Sequence, residues 1–517
     1  MNIARRCALT AWSRCERGFD GVFGGSGNPL RHLGALAALF FFMLAVSGAY
    51  LYAVLDTSAE GAYRSIEQLT LEQPALGGVL RSVHRYAADA FILIILAHLL
   101  REWVLGRFTG FRRYAWLTGV PLLVFAQTSG VGGFWLSWDR LAQFSALATA
   151  EWLDWLPVFG IDLTRNFASA DAVSARLFSL FIFVHIGVSL TLLFGLWFHV
   201  QRLARPQVFP PRALTIGVCG ALLSLAAAAP IVGQGAADLA TTPTVLALDW
   251  VLLFVHPLMY ATSPGFVWAV FGAAVLVLLA TPFATRVKVE KTAQVNAENC
   301  NGCGYCFEDC PYAAITMQAH PSMRPGARIA QVQSDLCASC GICVGACPSA
   351  TPFRSTRDLV SGVEMPQARI SVLRDELERR LASPSSEGCI VVFGCDRGAR
   401  VSALAGAQVA TFSLICTAML PPSFIEYSLR RGAAAVLVTG CGEGACEFRL
   451  GQRWTEERLS GAREPHLRTG VRDRVCIRWA GRGQEEYLRA AIKALQSGAD
   501  GCSGGSVTAQ SGREQRS

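Results

Sequence analysis

Two apolar stretches of this chain each carry a pair of histidines, and in both the pair is 14 residues apart: His84 and His98, then His185 and His199. On an α-helix that spacing is close to four full turns, so the two imidazoles of a pair share one face, about 21 Å apart along the axis. The chain has only eight histidines. Ionisable side chains inside apolar helices are costly and concentrate where function requires them. Four satisfied core histidines are the plain alternative, and two equal spacings in two separate stretches argue against it.

These stretches belong to a set of six near 33–54, 78–104, 114–134, 176–203, 213–232 and 265–283, each apolar enough and long enough to span roughly 30 Å of hydrocarbon. Composition agrees: 52% of residues are hydrophobic and 16% charged, against about 25% charged in soluble domains. Residues 1–30 hold Arg5, Arg6, Arg14 and Arg17 but no apolar run before a small-residue cleavage site, so no cleavable signal peptide is expected. Loop 55–80 offers only Arg64 against Asp56, Glu60, Glu67 and Glu72, and 233–264 has no Lys or Arg. The other loops carry Arg107, Arg112 and Arg113, then Arg202, Arg205 and Arg212, then Arg286, Lys288 and Lys291. The positive-inside bias puts both termini in the cytoplasm, in a bacterial cytoplasmic membrane. The net charge of +8 follows partly from those loops, and no basic tract suggests nucleic acid.

One helix separates the two histidine stretches, so they run in the same direction, with His84 level with His185 and His98 level with His199. Two opposed imidazoles at each of two levels would hold two stacked bis-histidine haems. Glycines repeat at the same interval: Gly34 and Gly48 in the first stretch, Gly119 and Gly133 in the third. A flat macrocycle in a four-helix bundle needs a missing side chain where a backbone passes its face; the plain alternative is helix packing. Arg81 and Arg85 flank His84 and could pair with haem propionates or serve as interfacial arginines. No Cys-x-x-Cys-His occurs, so the haems are expected to be b-type and non-covalent.

The segments RSVHRYAADAFILIILAHLLREW and YAWLTGVPLLVFAQTSGVGGFWLSWDR resemble cytochrome b of the bc-type quinol-oxidising complexes. The resemblance spans roughly 18–205 and continues more weakly through TTPTVLALDWVLLFVHPLM, where the family carries Pro-Glu-Trp-Tyr at its outer quinol site. Those positions read Leu248, Asp249, Trp250 and Val251 here, and Ser137 stands where the family often has proline before Trp138-Asp139. The resemblance implies a quinone or quinol partner, surrounding membrane lipid, a homodimer, and a proton-transfer role for Asp249 in place of the family glutamate. His256, close by, is expected to be structural.

The cysteines are distributed unevenly: three of 18 precede position 300. Cys300-x2-Cys303-x2-Cys306-x3-Cys310-Pro311 is repeated as Cys337-x2-Cys340-x2-Cys343-x3-Cys347-Pro348. This is the bacterial two-cluster ferredoxin run, in which three close thiolates clasp one [4Fe–4S] cluster and the fourth ligates the other. The sets are Cys300, Cys303, Cys306 and Cys347, and Cys337, Cys340, Cys343 and Cys310. Gly302, Gly304 and Gly341 let backbone approach the sulfurs. Paired zinc sites are the rival, and two complete four-cysteine runs with both prolines disfavour them.

Further on, CIVVFGC, QVATFSLIC, AAAVLVTGC and RVCIRWAG alternate with helical patterns such as FIEYSLRRG and EEYLRAAIKAL, which predicts a parallel α/β layer. Cys395, Cys416 and Cys441 end three of these runs and Cys446 follows. Sites in open α/β sheets gather at that strand edge, so these four are candidates for one [2Fe–2S] cluster. The segment 388–497, most clearly AAAVLVTGCGEGACEF, resembles the delta subunit of methyl-viologen-reducing hydrogenase. That family links partners to flavoproteins of heterodisulfide-reductase type. Gly394 and Gly398 stand where it has further cysteines; a domain that kept the fold and lost the metal is the alternative. Cys389, Cys476 and Cys502 are expected to be bystanders. GCGEG lacks the G-x-G-x-x-G spacing, and no flavin or NAD site is expected on this chain.

The expected organisation is multi-domain, with an all-α six-helix transmembrane bundle like cytochrome b, an α+β bacterial ferredoxin-like domain, and a C-terminal α/β parallel-sheet domain. Its parts are an amphipathic segment at 1–32, a dihaem four-helix domain at 33–205 and two further helices at 206–285. The ferredoxin domain follows at 290–351, then a linker at 352–386, the iron–sulfur sheet domain at 387–497 and a disordered tail at 498–517. Such a series of one-electron carriers predicts electron transfer between a cytoplasmic flavoprotein or dehydrogenase and the quinone pool. A bc-like proton-translocating quinol oxidase using Asp249 is the alternative, and a redox sensor ranks last.

Overall fold

Helices form at all six apolar stretches: Leu33–Val54, Val79–Leu105, Arg113–Trp135, Ala175–Val200, Arg212–Ala228 and Pro264–Ala280. The computed structural model describes residues 3–158, 160–167, 173–243, 245–284, 291–321, 326–353, 359–382 and 388–497. Among these, three helices are long and apolar enough to cross a membrane: Leu33–Val54, Gly110–Trp135 and Ala175–Val200. The count differs from six for physical reasons. Val79–Leu105 carries Arg81, Arg85, Asp89, Arg101 and Glu102. Arg212–Ala228 and Pro264–Ala280 have 17 residues each, which at 1.5 Å per residue is about 25 Å of rise.

The chain divides into a helical unit, Met1–Gln201 with Pro206–Val287, and a second unit, Arg202–Arg205 with Lys288–Ser517. In the helical unit Leu33–Val54 packs along Val79–Leu105, and Arg113–Trp135 along Ala175–Val200. The expected amphipathic segment is the helix Ile3–Gly27, fastened where Glu16 meets Arg101 at 3.0 Å. The connection 55–80, expected as a loop, contains the helix Ala62–Glu72, and the connection after Trp135 contains the helix Arg140–Asp154. Asp139 caps the latter, its Oδ1 accepting the Ala142 N–H at 2.9 Å, which satisfies one of the orphan donors of a first turn. A π-helical turn, Phe183–Gly187, interrupts the fourth apolar stretch and contains His185; such bulges re-aim side chains and recur at functional sites.

Among its described residues the second unit holds eight short strands. β1 (Gln294–Val295) pairs antiparallel with β4 (Val363–Glu364), and β2 (Ile315–Ala319) with β3 (Arg328–Val332). β5 (Ile390–Cys395), β6 (Val409–Leu414), β7 (Ala435–Gly440) and β8 (Val475–Trp479) form a parallel sheet in the order β6-β5-β7-β8. Every residue of the central strands β5 and β7 is buried. That is why they read as unbroken apolar runs and not as alternating ones.

The segment expected as a linker with a charged helical run around 371–382 carries the helix Ile370–Leu381 and also supplies β4. Leu359, Met365, Ile370 and Leu377 share one core with Cys306 and Val344 on the ferredoxin side and Val391, Phe393 and Phe424 on the sheet side. A Ser/Pro-rich flank disguised a segment whose apolar residues close a common core. The expected tail at 498–517 lies outside the described residues.

Candidate metal centres

In the helical unit the rings of His84 and His185 face each other with centroids 6.2 Å apart and planes at 71°. Two imidazoles sharing one metal at bonds of about 2 Å, each with about 1 Å more to its ring centre, have centroids about 6 Å apart. The spacing therefore fits a bis-histidine haem. His199 is within electrostatic range of His98, so the second expected pair is also brought together.

Each expected glycine lies against one expected histidine. A Cβ placed on Gly48 would stand 3.0 Å from His84 Cε1, and on Gly133 2.9 Å from His185 Cε1. On Gly34 it would stand 3.5 Å from His98 Cε1, and on Gly119 3.2 Å from His199 Cε1. Hydroxyls absent from the sequence expectations hold the outward ring nitrogens. Ser47 Oγ lies 3.0 Å from His84 Nδ1, and Thr118 Oγ1 lies 3.0 Å from His199 Nδ1. His185 Nδ1 sits 2.8 Å from the Ser129 carbonyl, with Ser129 Oγ at 3.4 Å. Tying Nδ1 leaves Nε2 for a metal and fixes the ring plane. The available signal was a hydroxyl immediately before a glycine, as in Ser47-Gly48 and Thr118-Gly119.

The flanking arginines engage protein carboxylates. Arg81 is buried and donates through Nη1 to Glu67 at 3.0 Å, Thr70 at 2.7 Å and the Ile66 carbonyl at 3.4 Å. Arg85 meets Asp89 at 2.7 Å, pairs with Asp249 and lies 4.6 Å from the Phe134 ring centre. Asp249 is committed on both oxygens: Oδ2 to Arg85, and Oδ1 to the N–H groups of Val251 and Leu252, at 2.8 Å each. His256 is buried with Nε2 3.0 Å from Thr149 Oγ1.

In the second unit two cavities are lined by the two interleaved cysteine sets. One is bounded by Cys300, Cys303, Cys306 and Cys347 with Gly302 and Gly304. The other is bounded by Cys310, Cys337, Cys340 and Cys343 with Gly341. Among the described residues no group of three or more His, Cys, Asp or Glu side chains converges as a single metal ion requires. Thiols around a cavity suit a polynuclear centre better than a mononuclear zinc. Gly302, Gly304 and Gly341 have φ of +69°, +84° and +75°, the left-handed turn that lets a loop wrap such a centre. Burial, then the neighbouring thiols of Cys347, Cys303 and Cys300, pushes Cys306 up to about 12. Burial, then Cys340, Cys337 and other cysteines, puts Cys343 well above the ordinary thiol value. Thiols so placed ionise together only around a compensating cation.

The third set also converges. Cys395 Sγ lies 4.0 Å from Cys441 Sγ at the C-terminal edge of the sheet. Cys441 also interacts through its side chain with Cys446. A Cβ on Gly451 would meet Cys416 Sγ at 2.5 Å and Cys446 Sγ at 3.2 Å. The side-chain contact with Cys395 comes first among the causes that lift Cys441 to about 12. Gly394 abuts Val401, and Gly398 abuts the Gly440 carbonyl, too closely for any side chain. Cysteines could not stand there in this packing. Cys389 and Cys476 are buried in hydrophobic clusters, and Cys502 lies outside the described residues.

Comparison with known proteins finds three matched families. Residues 28–205 match cytochrome b/b6/petB, residues 299–351 a 4Fe-4S dicluster domain, and residues 390–502 the delta subunit of methyl-viologen-reducing hydrogenase. The cytochrome b6 of Heliobacterium mobile is 30% identical over 154 residues, covering 30% of this chain and 72% of that protein. The cytochrome b6 of Synechococcus elongatus is 31% identical over 155 residues, covering 29% and 71%. A chain of a hyperthermophilic respiratory complex III aligns over 48% of this chain and 74% of its own, with a TM-score of 0.40 and 19% identity, too slight a likeness to bear on the fold. The chain belongs to the cytochrome b/b6 family, and joined to that domain it carries a 4Fe-4S dicluster domain and a domain like the delta subunit of methyl-viologen-reducing hydrogenase.

Proposed function

We propose that this membrane electron-transfer protein carries electrons between a cytoplasmic flavoprotein of heterodisulfide-reductase type, or another dehydrogenase, and the quinone pool. The observation that carries the reading is the grouping of three cysteine quartets in one unit and two histidine pairs in the other, in one chain. His84 with His185, and His98 with His199, would hold two b-type haems, with Gly34, Gly48, Gly119 and Gly133 leaving room for the ring faces. The two interleaved quartets would hold [4Fe–4S] clusters, and Cys395, Cys416, Cys441 and Cys446 a [2Fe–2S] cluster. When bound, these groups accept and release single electrons. The protein's own part is to exclude water, fix the ligand planes and set the charge around each centre. The loop charges favour a bacterial cytoplasmic membrane, with the iron–sulfur unit in the cytoplasm. The commitment of Asp249 to Arg85 and two backbone amides favours this over quinol oxidation through Asp249.

The test is reduction of the purified protein followed at the haem absorption bands, with quinol and with a soluble low-potential reductant. Both should reduce the haems of the wild type. Replacing Cys395 and Cys441 together with serine should abolish reduction driven by the flavoprotein partner and leave quinol-driven reduction intact. Haems that stay oxidised with either donor in the wild type would sink the proposal.

A further inference from the structure

Arg458 touches three cysteine-bearing segments that belong to two of the proposed centres. It is 1% exposed. Its Nη1 donates to the Ala418 carbonyl at 2.6 Å, two residues after Cys416. Its Nη2 pairs with Asp309, which precedes Cys310, and lies 3.4 Å from the Ile342 carbonyl, between Cys340 and Cys343. Cys416 is within electrostatic range of Cys340 as well as of Cys446 and Cys441, and of Arg458 itself. The backbones are close: a Cβ on Gly341 would meet Met419 Sδ at 2.9 Å, and one on Gly345 would meet Arg458 Nη1 at 2.6 Å. The quartet at the sheet edge therefore borders the Cys310, Cys337, Cys340 and Cys343 quartet, with a guanidinium at the seam.

Such a charge is expensive to bury. Its Nε has no hydrogen-bond partner. Its one carboxylate partner, Asp309, is shared with Arg463 at 2.6 Å. Where only structural fastening was needed, an apolar side chain of this volume would fill the seam at less cost. A fixed positive charge is useful where negative charge arrives, and each electron added to a thiolate-held centre adds one negative charge in a medium of low dielectric.

Resting on the cofactor assignment of the proposed function, we infer that Arg458 is a positioning residue that couples these two centres, its charge favouring the reduced state of both. The experiment is a redox titration of the purified full-length protein, with the iron–sulfur signals followed by electron paramagnetic resonance and iron measured per chain. Arg458→Met should make reduction of both centres about tenfold less favourable, about 59 mV for a one-electron couple. Arg458→Lys should restore much of that shift. Asp309→Asn, which removes the compensating charge and keeps the guanidinium, should move both midpoints the opposite way. A structural role alone would not give opposite signs. Unshifted midpoints in R458M at full iron content overturn the coupling and leave the function standing. If R458M loses its iron, D309N decides, and unchanged midpoints there overturn the coupling. A wild type without the sheet-edge centre overturns both.

Discussion

In the helical unit each candidate ligand stands on a long helix of a bundle, whereas in the second unit the candidate ligands stand on loops, single helical turns and a strand end, and meet only because a folded core draws these segments together. His84 and His185 are set by helix register, with Gly48 and Gly133 behind them. Cys306 and Cys347 are set by turns of positive φ at Gly302 and Gly304 and by a core that includes Val363 and Met365. A helix is rigid with or without a haem, because its backbone bonds are internal. A loop quartet of protonated thiols is a poorer structure by itself. The helical sites should therefore fail by loss of fit, and the loop sites by loss of the protein around them.

The largest effect should come from filling a space the macrocycle needs. Gly133→Leu places a branched side chain where a single Cβ would already stand 2.9 Å from His185 Cε1. The variant should lose the His84/His185 haem and keep its helicity and its His98/His199 haem, as read by haem content and circular dichroism. Gly220→Leu is the control, since nothing lies within 4 Å of a Cβ there. Equal haem content in the two variants would break the assignment of Gly133 to a haem face.

The same contrast explains what could be read from the amino-acid order. Spacing on a helix is geometry, so the 14-residue intervals singled out His84, His98, His185 and His199, and Gly34, Gly48, Gly119 and Gly133 with them, without reference to any tertiary contact; which glycine meets which histidine came from the packing. The four-cysteine runs were legible because their local spacing is itself the clasp. Partners fixed by tertiary packing were not legible. Arg81 looked available to a propionate until the Ala62–Glu72 helix brought Glu67 and Thr70 to it. Asp249 looked like an outer-site base until Arg85 and two amides were found on it. Residues 359–382 looked like a linker because the burial of Leu359, Ile370 and Leu377 depends on strands far away in the chain.

A pH series sharpens the difference between the units. Cys306 and Cys441 are pushed from an ordinary 9.0 up to about 12 in the folded chain. With the clusters removed, the folded state holds these protons more tightly than the unfolded state does. Their contribution to stability is complete below pH 9 and is lost as pH rises from 9 towards 12. The loaded protein, whose ligands are already thiolates, should be flat over that window. Thermal unfolding of cluster-free and loaded protein, followed by circular dichroism, should diverge above pH 9. Parallel curves would show that the thiols do not govern the unit's stability.

The smallest effect belongs to the hydroxyls on the outward histidine nitrogens. Ser47→Ala removes one contact to His84 Nδ1, made at 3.0 Å, and leaves the ring on its helix. The serine also donates to the Met43 carbonyl at 2.6 Å, so its loss frees no buried charge. One hydrogen bond of this kind is worth about 1 kcal/mol, enough to weaken orientation but not binding. S47A should keep full haem content and shift the midpoint of the His84/His185 haem alone, as read by optical redox titration. Thr118→Val should do the same at His199 and leave the other level unmoved. A variant that moved both haems equally would mean that the bundle, and not the single ring, had responded. The independence of the two levels implied by their separate hydroxyl contacts would then be lost.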